Sequence, residues 1–185
     1  KLTFYYDKMK ADRNGMSVGP FNAYFVFPWS DVRLSITTVK FDNSFANYTG
    51  LTSTKWMLGD LAYLESIEGI ENLKTDNVTD MSNMFNGCTS LTWLDLTPLD
   101  TNNVTTMETM FRNANNLKVI YVWDKFITDK VVSHSNMFEW ATNLVWWNGT
   151  KYNSSKTNKE YARIDLWDIK WYFTDPRAFT VRFLS

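Results

Sequence analysis

A motif that recurs every 26 or 27 residues constrains this chain more than any other feature of its sequence. Met-Phe pairs begin at Met84, Met110 and Met137. A second pattern, Leu-x-x-apolar-x-apolar, follows with the same period, and its copies begin at Leu64, Leu91, Leu117 and Leu144, with a fainter forerunner at Ile36. Two patterns that share one period indicate copies of one structural unit.

The two patterns predict different local structures. Apolar residues two apart at the end of the Leu-x-x-Leu-x-Leu segment predict a short strand with one buried face. The copy at Leu64 carries an extra residue near Gly69. Apolar steps of three and four through the Val-x-x-Met-x-x-Met-Phe segment predict a helix, with Thr79, Thr105 or Ser133 able to cap it.

A unit of about 20–29 residues with one strand and one helix is typical of a leucine-rich repeat. One unit cannot bury both of its faces, so copies must stack, and the two ends of the stack need caps. We therefore expect an α/β repeat, a leucine-rich-repeat solenoid with a short parallel sheet.

The whole chain, residues 1–185, is predicted to form one elongated domain. We expect an N-terminal β-hairpin cap in residues 1–50, repeats in 51–150 and a C-terminal β cap in 151–185. The hairpin strands are predicted in residues 2–6 and 21–27, and the C-terminal strands in 161–165 and 171–174.

Charge and composition exclude several classes of function. The formal net charge is −1 with no dense Lys/Arg cluster, which argues against a nucleic-acid partner. No apolar run is long enough to predict a membrane span in this segment. The chain begins at Lys1 rather than at Met, so we expect a mature or trimmed fragment.

The sequence contains no recognisable catalytic or metal-binding motif, so we expect no enzyme activity, no cofactor and no metal. The single cysteine, Cys88, excludes an internal disulfide and is predicted to be a small buried residue, like Ala114 and Ala141 in later copies. The six methionines in repeat positions are predicted to be buried. The single histidine, His134, is predicted to face solvent at the start of a helix.

Aromatic residues make up 17% of the chain, and some of them are expected to serve recognition. Strand residues between the buried leucines point outward and stack into columns across the repeats. The candidate binding residues on this concave face are Trp93, Asp95, Tyr121, Trp146 and Asn148. Such a group could hold a sugar ring or a peptide side chain. Alternatively, the aromatics only brace adjacent strands.

The repeat at residues 77–96, Asn-Val-Thr-Asp-Met-Ser-Asn-Met-Phe-Asn-Gly-Cys-Thr-Ser-Leu-Thr-Trp-Leu-Asp-Leu, resembles those of BspA-like bacterial leucine-rich-repeat surface proteins. Residues 2–7, 161–165 and 172–174 are also similar to flanks in that family. Residues 166–171, a Trp-rich segment, depart from it, because Gly and Pro often stand there.

This resemblance implies an exported cell-surface or secreted protein that takes part in adhesion. Its expected partners are a host extracellular protein, a cell surface or a glycan. The family shares no catalytic residues. A structural stalk within a larger surface protein is the alternative, and a glycan-active enzyme is a third, weaker one.

Overall fold

The strands of the chain are short and lie where the repeat predicts them. The computed structural model describes residues 1–9, 11–15, 27–145 and 151–162. Within these residues the strands are β1 (Leu2–Phe4), β2 (Thr38–Phe41), β3 (Ser66–Glu68), β4 (Trp93–Asp95) and β5 (Val119–Tyr121). The 3₁₀ helices are η1 (Ser30–Ser35), η2 (Asn43–Asn47), η3 (Ile70–Asn72) and η4 (Lys159–Tyr161). Strands β2 to β5 fall inside four copies of the leucine pattern, which confirms their predicted positions.

Strands of successive repeats pair in parallel, but they form two sheets rather than one. One sheet has the order β1-β2-β3, and the other contains β4 and β5. Val39 lies opposite Ile67, and Leu94 lies opposite Ile120. The single sheet that the repeat predicts is therefore interrupted between β3 and β4. The interruption coincides with the extra residue near Gly69, where the chain turns with a φ of +69° directly after β3.

The segments between the strands form successive turns, not the α-helix that their apolar spacing predicts. Turns cover residues 82–87, 108–113 and 135–140. Every second backbone N–H in residues 81–87 donates to a carbonyl of the next repeat, at N···O distances of 2.8–2.9 Å. The N–H groups of Met84, Asn86 and Cys88 bond three residues back within the segment. An α-helix would use all these N–H groups internally, so the bonds between repeats replace it.

The same alternation joins four repeats, and we call it the turn ladder. It runs through residues 54–60, 80–87, 106–113 and 133–139. Thr79, Thr105 and Ser133, expected as helix caps, lie beside or within this ladder instead. The turn ladder is continuous past the point where the sheet is interrupted, so it holds the repeats together on the side away from the strands.

Two positions in each turn of the ladder have a left-handed backbone. The φ values are between 52° and 72° at Trp56 and Asp60, Asn83 and Gly87, Thr109 and Asn113, and Asn136 and Trp140. Asn, Asp and Gly tolerate this conformation best, and they fill five of these eight places. The turn geometry therefore explains why short polar residues and glycine recur beside the apolar pattern.

The interior is one cluster of apolar side chains that equivalent residues extend from repeat to repeat. Phe85, Phe111 and Phe138 form a stack with ring centroids 5.6 and 5.4 Å apart, and with interplanar angles of 2° and 7°. All three rings are fully buried. Cys88 and the six repeat methionines are also buried, as predicted. Each repeat thus covers an apolar face of its neighbour.

The N-terminal segment begins with a strand, as predicted, and this strand extends the first sheet; its pairing with residues 21–27 in a hairpin stays a prediction. Strand β1 pairs in parallel with β2, with Phe4 opposite Phe41. The ring of Phe4 stacks on Phe41 at 5.0 Å and meets Trp29 edge-on at 5.3 Å. The predicted second arm, residues 21–27, lies outside the described residues except for Phe27, which is not in a strand. An aromatic cluster therefore closes this end of the core.

Residues 151–162 cover the last segment of the turn ladder. The N–H of Phe138 donates to the carbonyl of Thr157 at 2.9 Å. Val145 and Lys151 form an antiparallel bridge. Of the strand predicted at residues 161–165 the structure describes only residues 161 and 162, and these are not in a strand, because Tyr161 ends η4. The strand at 171–174 and the Trp-rich segment 166–171 lie outside the described residues.

Candidate functional site

The predicted binding residues on β4 and β5 alternate with buried ones, as strand geometry requires. Leu94 and Ile120 are buried opposite each other. Trp93 and Asp95 therefore point away from the core on one strand, and Tyr121 does so on the next. Trp93 lies opposite Val119, and Asp95 lies opposite Tyr121. The predicted columns of outward residues exist across this pair of strands.

Trp93 is the more exposed of the two aromatic residues that the structure describes on this face. Its side chain is 53% exposed, whereas Tyr121 is half-buried. Among the described residues no ring packs on either of them, and the strand neighbour of Trp93 is an aliphatic residue. Bracing of adjacent strands remains the alternative interpretation, because Trp93 lies opposite Val119 and Trp146 is outside the described residues. An uncovered indole next to a carboxylate is a common feature of recognition surfaces.

The carboxylate of Asp95 is held in place by the chain that follows β4. One of its oxygens, Oδ1, accepts hydrogen bonds from the Thr97 N–H at 3.0 Å and from the Thr97 hydroxyl at 2.7 Å. This local turn fixes the direction of the side chain without burying it. Asp95 thus presents a fixed negative charge beside Trp93 and Tyr121.

The outward residues of the first sheet are already engaged with one another. The Ser66 hydroxyl donates to the Thr38 hydroxyl at 3.3 Å. Glu68 forms an ion pair with Lys1 at 2.6 Å, and this hydrogen bond holds the pKa of Glu68 below its ordinary value. The polar groups of these columns thus have partners on or beside neighbouring strands, whereas Trp93 on β4 stays exposed.

A cleft of about 160 Å³ opens where the sheet is interrupted. One wall is Glu65, β3 and the turn after it with Gly69 and Glu71, and the other is β4 with Trp93 and Asp95. Ile67, Ile70, Leu91 and Leu94 also border it, but the last three belong to the core, and only Ile67 is partly exposed. Ile67 is only partly buried, whereas its equivalents Val39, Leu94 and Ile120 are buried.

Sequence reasoning placed Trp93 and Asp95 in a site but missed Glu65 and Glu71 as their neighbours. The signal that could have found them is the extra residue near Gly69, which breaks the period at this junction. Of the other predicted residues, Trp146 and Asn148 lie outside the described residues. Whether they join this surface stays a prediction.

The described residues contain no group of three or more side chains suited to holding a metal ion. Burial raises the pKa of the Cys88 thiol far above its ordinary value, and its sulfur contacts the Leu58 carbonyl at 3.1 Å.

The expectation that His134 faces solvent at a helix start is wrong in both parts. The residue lies in the turn ladder rather than a helix, and its half-buried ring has Nε2 3.8 Å from a Glu160 oxygen.

No helix in the described parts of the chain is long and apolar enough to span a membrane. A family model described as "Mycoplasma protein of unknown function, DUF285" matches residues 46–170, which is more than half of the 185-residue chain. No curated protein and no solved structure gives a significant match.

Proposed function

Because the chain belongs to the DUF285 family of Mycoplasma proteins of unknown function, we propose its function from its own surface: it is a non-enzymatic adhesion or recognition module. It binds a host extracellular protein, a cell surface or a glycan through the outward face of its strands. The proposal places the protein at the cell surface or outside the cell, as the resemblance to BspA-like proteins implies.

The fold proposed for this module is a leucine-rich-repeat solenoid in which turns replace the helices. Parallel strands at the leucine pattern, the turn ladder and the stacked phenylalanines support it. Stacked repeats display equivalent strand residues side by side, and solenoids use such surfaces for binding.

One observation carries the recognition proposal: Trp93 is half exposed beside the facing pair Asp95 and Tyr121. Exposing an indole to water is unfavourable, so an exposed indole on a strand face is expected to contact something. Tryptophan and tyrosine are also the residues that contribute most to binding energy at interfaces.

The test is an array of matrix proteins, host-cell surface proteins and glycans, screened with the wild-type chain. At least one ligand is expected to bind. The variant Trp93→Ala/Tyr121→Ala should then weaken that binding by roughly thirtyfold, as loss of a central aromatic contact typically does.

A matched control removes an exposed indole from the other side of the repeats. Trp140 is 54% exposed, lies at a left-handed position of the turn at residues 135–140, and can be replaced by Asn without strain there. Trp140→Asn should leave binding unchanged. If the Trp93/Tyr121 variant folds and binds as tightly as wild type, the binding face is wrongly placed. An array without any ligand refutes the recognition function.

A structural stalk is the second candidate, and the continuous turn ladder favours it. Its hydrogen bonds and the phenylalanine stack tie each repeat to the next along the whole described series. A stalk predicts no ligand in the same array, so that outcome separates the two functions.

A further inference from the structure

The cleft between β3 and β4 combines an aromatic wall, apolar side chains and an unbalanced charge. Carboxylates line it at Glu65, Glu71 and Asp95, and no Lys or Arg side chain lines it. From this combination we propose that the cleft binds a lysine or arginine side chain carried on an extended peptide segment of a protein partner. This inference rests on the recognition function proposed above and names its ligand chemistry.

Several carboxylates outside the cleft are balanced by a basic side chain of the protein itself. Glu68, Asp80, Asp100 and Glu139 each have a basic partner within 3.9 Å. Among the described residues none forms an ion pair with Glu65, Glu71 or Asp95. Lys74 donates from its Nζ to the backbone carbonyl of Glu71 at 3.0 Å and forms no ion pair with a carboxylate of the cleft. The cleft therefore carries negative charge that the protein itself does not balance.

Shape and polarity select a basic side chain over other cations. Its aliphatic stem can lie along the partly buried Ile67 and the exposed Trp93, and its charged end can face the carboxylates around the cleft. The face of the Trp93 indole adds a favourable contact with a cation. A phosphate or sulfate group would be repelled by the same carboxylates.

The interrupted sheet favours a peptide as the carrier of that side chain. Strands β3 and β4 each end their sheet where they face the cleft, so each has backbone polar groups without a strand partner on that side. The main chain of an extended segment can exchange hydrogen bonds with such groups. A free amine or a sugar has no main chain, so these backbone groups would remain bonded to water.

The experiment uses immobilised Gly-Ser peptides of about 15 residues that carry Lys, Arg, norleucine or Glu at three alternate central positions. Binding of the full chain is measured by interferometry. Lys and Arg peptides are expected to bind, and the norleucine and Glu peptides are expected not to. Norleucine keeps the stem of lysine without its charge, so it separates charge from apolar contact. If no basic peptide binds, or if norleucine binds equally, the proposal is overturned.

Matched double variants then locate the binding. Glu65→Gln/Glu71→Gln removes two charges that line the cleft, and Asp76→Asn/Asp129→Asn removes two exposed charges elsewhere. The first should lower affinity for the Lys peptide roughly tenfold or more, and the second by less than about twofold. Equal effects would mean general charge attraction and overturn the proposal.

The array described above keeps the two proposals separate. A partner that is lost with Trp93→Ala/Tyr121→Ala but kept by Glu65→Gln/Glu71→Gln leaves the recognition function intact and refutes the basic-side-chain cleft. Absence of any array partner refutes the function itself. Urea unfolding of each variant confirms that it is folded before binding is compared.

Discussion

Replacing Gly69 by alanine tests whether the turn after β3 is as tightly built as its geometry indicates. Gly69 has a φ of +69°, and a Cβ placed there would overlap the carbonyl oxygen of Phe41. That carbonyl is fixed, because it accepts a hydrogen bond from the Asn72 amide at 3.1 Å, and the same amide donates to Asn43 at 3.2 Å. The backbone of β2 or of the turn must therefore shift to admit a methyl group.

The magnitude follows from comparison with Gly87, which has a similar φ of +72°. An alanine in the left-handed region costs about 1–2 kcal/mol, and about 0.4–1 kcal/mol is recovered because alanine restricts the unfolded chain. At Gly87 a Cβ would lie 2.7 Å from Oδ1 of Asp60, a side-chain atom that can rotate away. Gly87→Ala should thus lower the free energy of unfolding by about 1 kcal/mol. Gly69→Ala adds a backbone overlap worth about 1–3 kcal/mol, for a total of about 2–4 kcal/mol.

The assay is urea-induced unfolding, with the free energy extrapolated to water and the slope checked for constancy between variants. The difference between the two alanine variants isolates the backbone overlap, because both share the left-handed strain. If Gly69→Ala destabilises the chain no more than Gly87→Ala, the close approach of this turn to β2 is not a constraint, and the explanation offered for the junction fails.

Three further substitutions probe the core and the charges. Phe111→Ala, in the middle of the phenylalanine stack, should lower the free energy of unfolding by about 3–5 kcal/mol in urea, and Phe111→Leu by clearly less; equal losses would mean that the stack packs loosely. Burial raises the pKa of Asp60, so ionisation of this carboxyl destabilises the folded chain as the pH rises from the acid range. Asp60→Asn should therefore raise the urea midpoint of unfolding near pH 7 but not near pH 3. The Ser44 N–H lowers the pKa of Asp42, so Asp42→Asn should lower the midpoint near pH 7, with a difference that shrinks as acid protonates the wild-type carboxylate. A pH-independent effect of either charge change would contradict its assigned cause.

The sequence was a good guide to the strands and the core because one pattern controls both. Leu94 and Ile120 alternate with outward residues, so the register and the faces of β4 and β5 follow from the leucine spacing alone. The burial of Cys88 followed in the same way from its alanine equivalents. The spacing of apolar residues shows which side chains face inward, and the inward-facing residues are the ones that recur in every repeat.

The helix was mispredicted because apolar spacing does not say where backbone hydrogen bonds go. Steps of three and four suit a helix, but they also suit successive turns that repeat every three or four residues. Asn83 and Gly87 carried the missing information, since a left-handed residue at each place excludes a helix. At the junction, the effect of one extra residue near Gly69 depends on its contact with β2, which is distant in sequence. The extra residue marks the junction in the sequence, but it does not show which side chains meet there, and therefore Glu65 and Glu71 were not recognised beside Trp93.

The uneven bonding of the repeats makes the molecule's response to force depend on direction. Bending that widens the cleft stretches no backbone hydrogen bond between β3 and β4, because none joins them. Bending the opposite way must lengthen the bonds that the N–H groups of Thr54, Trp56, Leu58 and Asp60 make to the next repeat. Opening of this junction would therefore alter the spacing of the carboxylates while the turn ladder, and the bond from the Ser90 N–H to the Ala62 carbonyl, still join the two repeats.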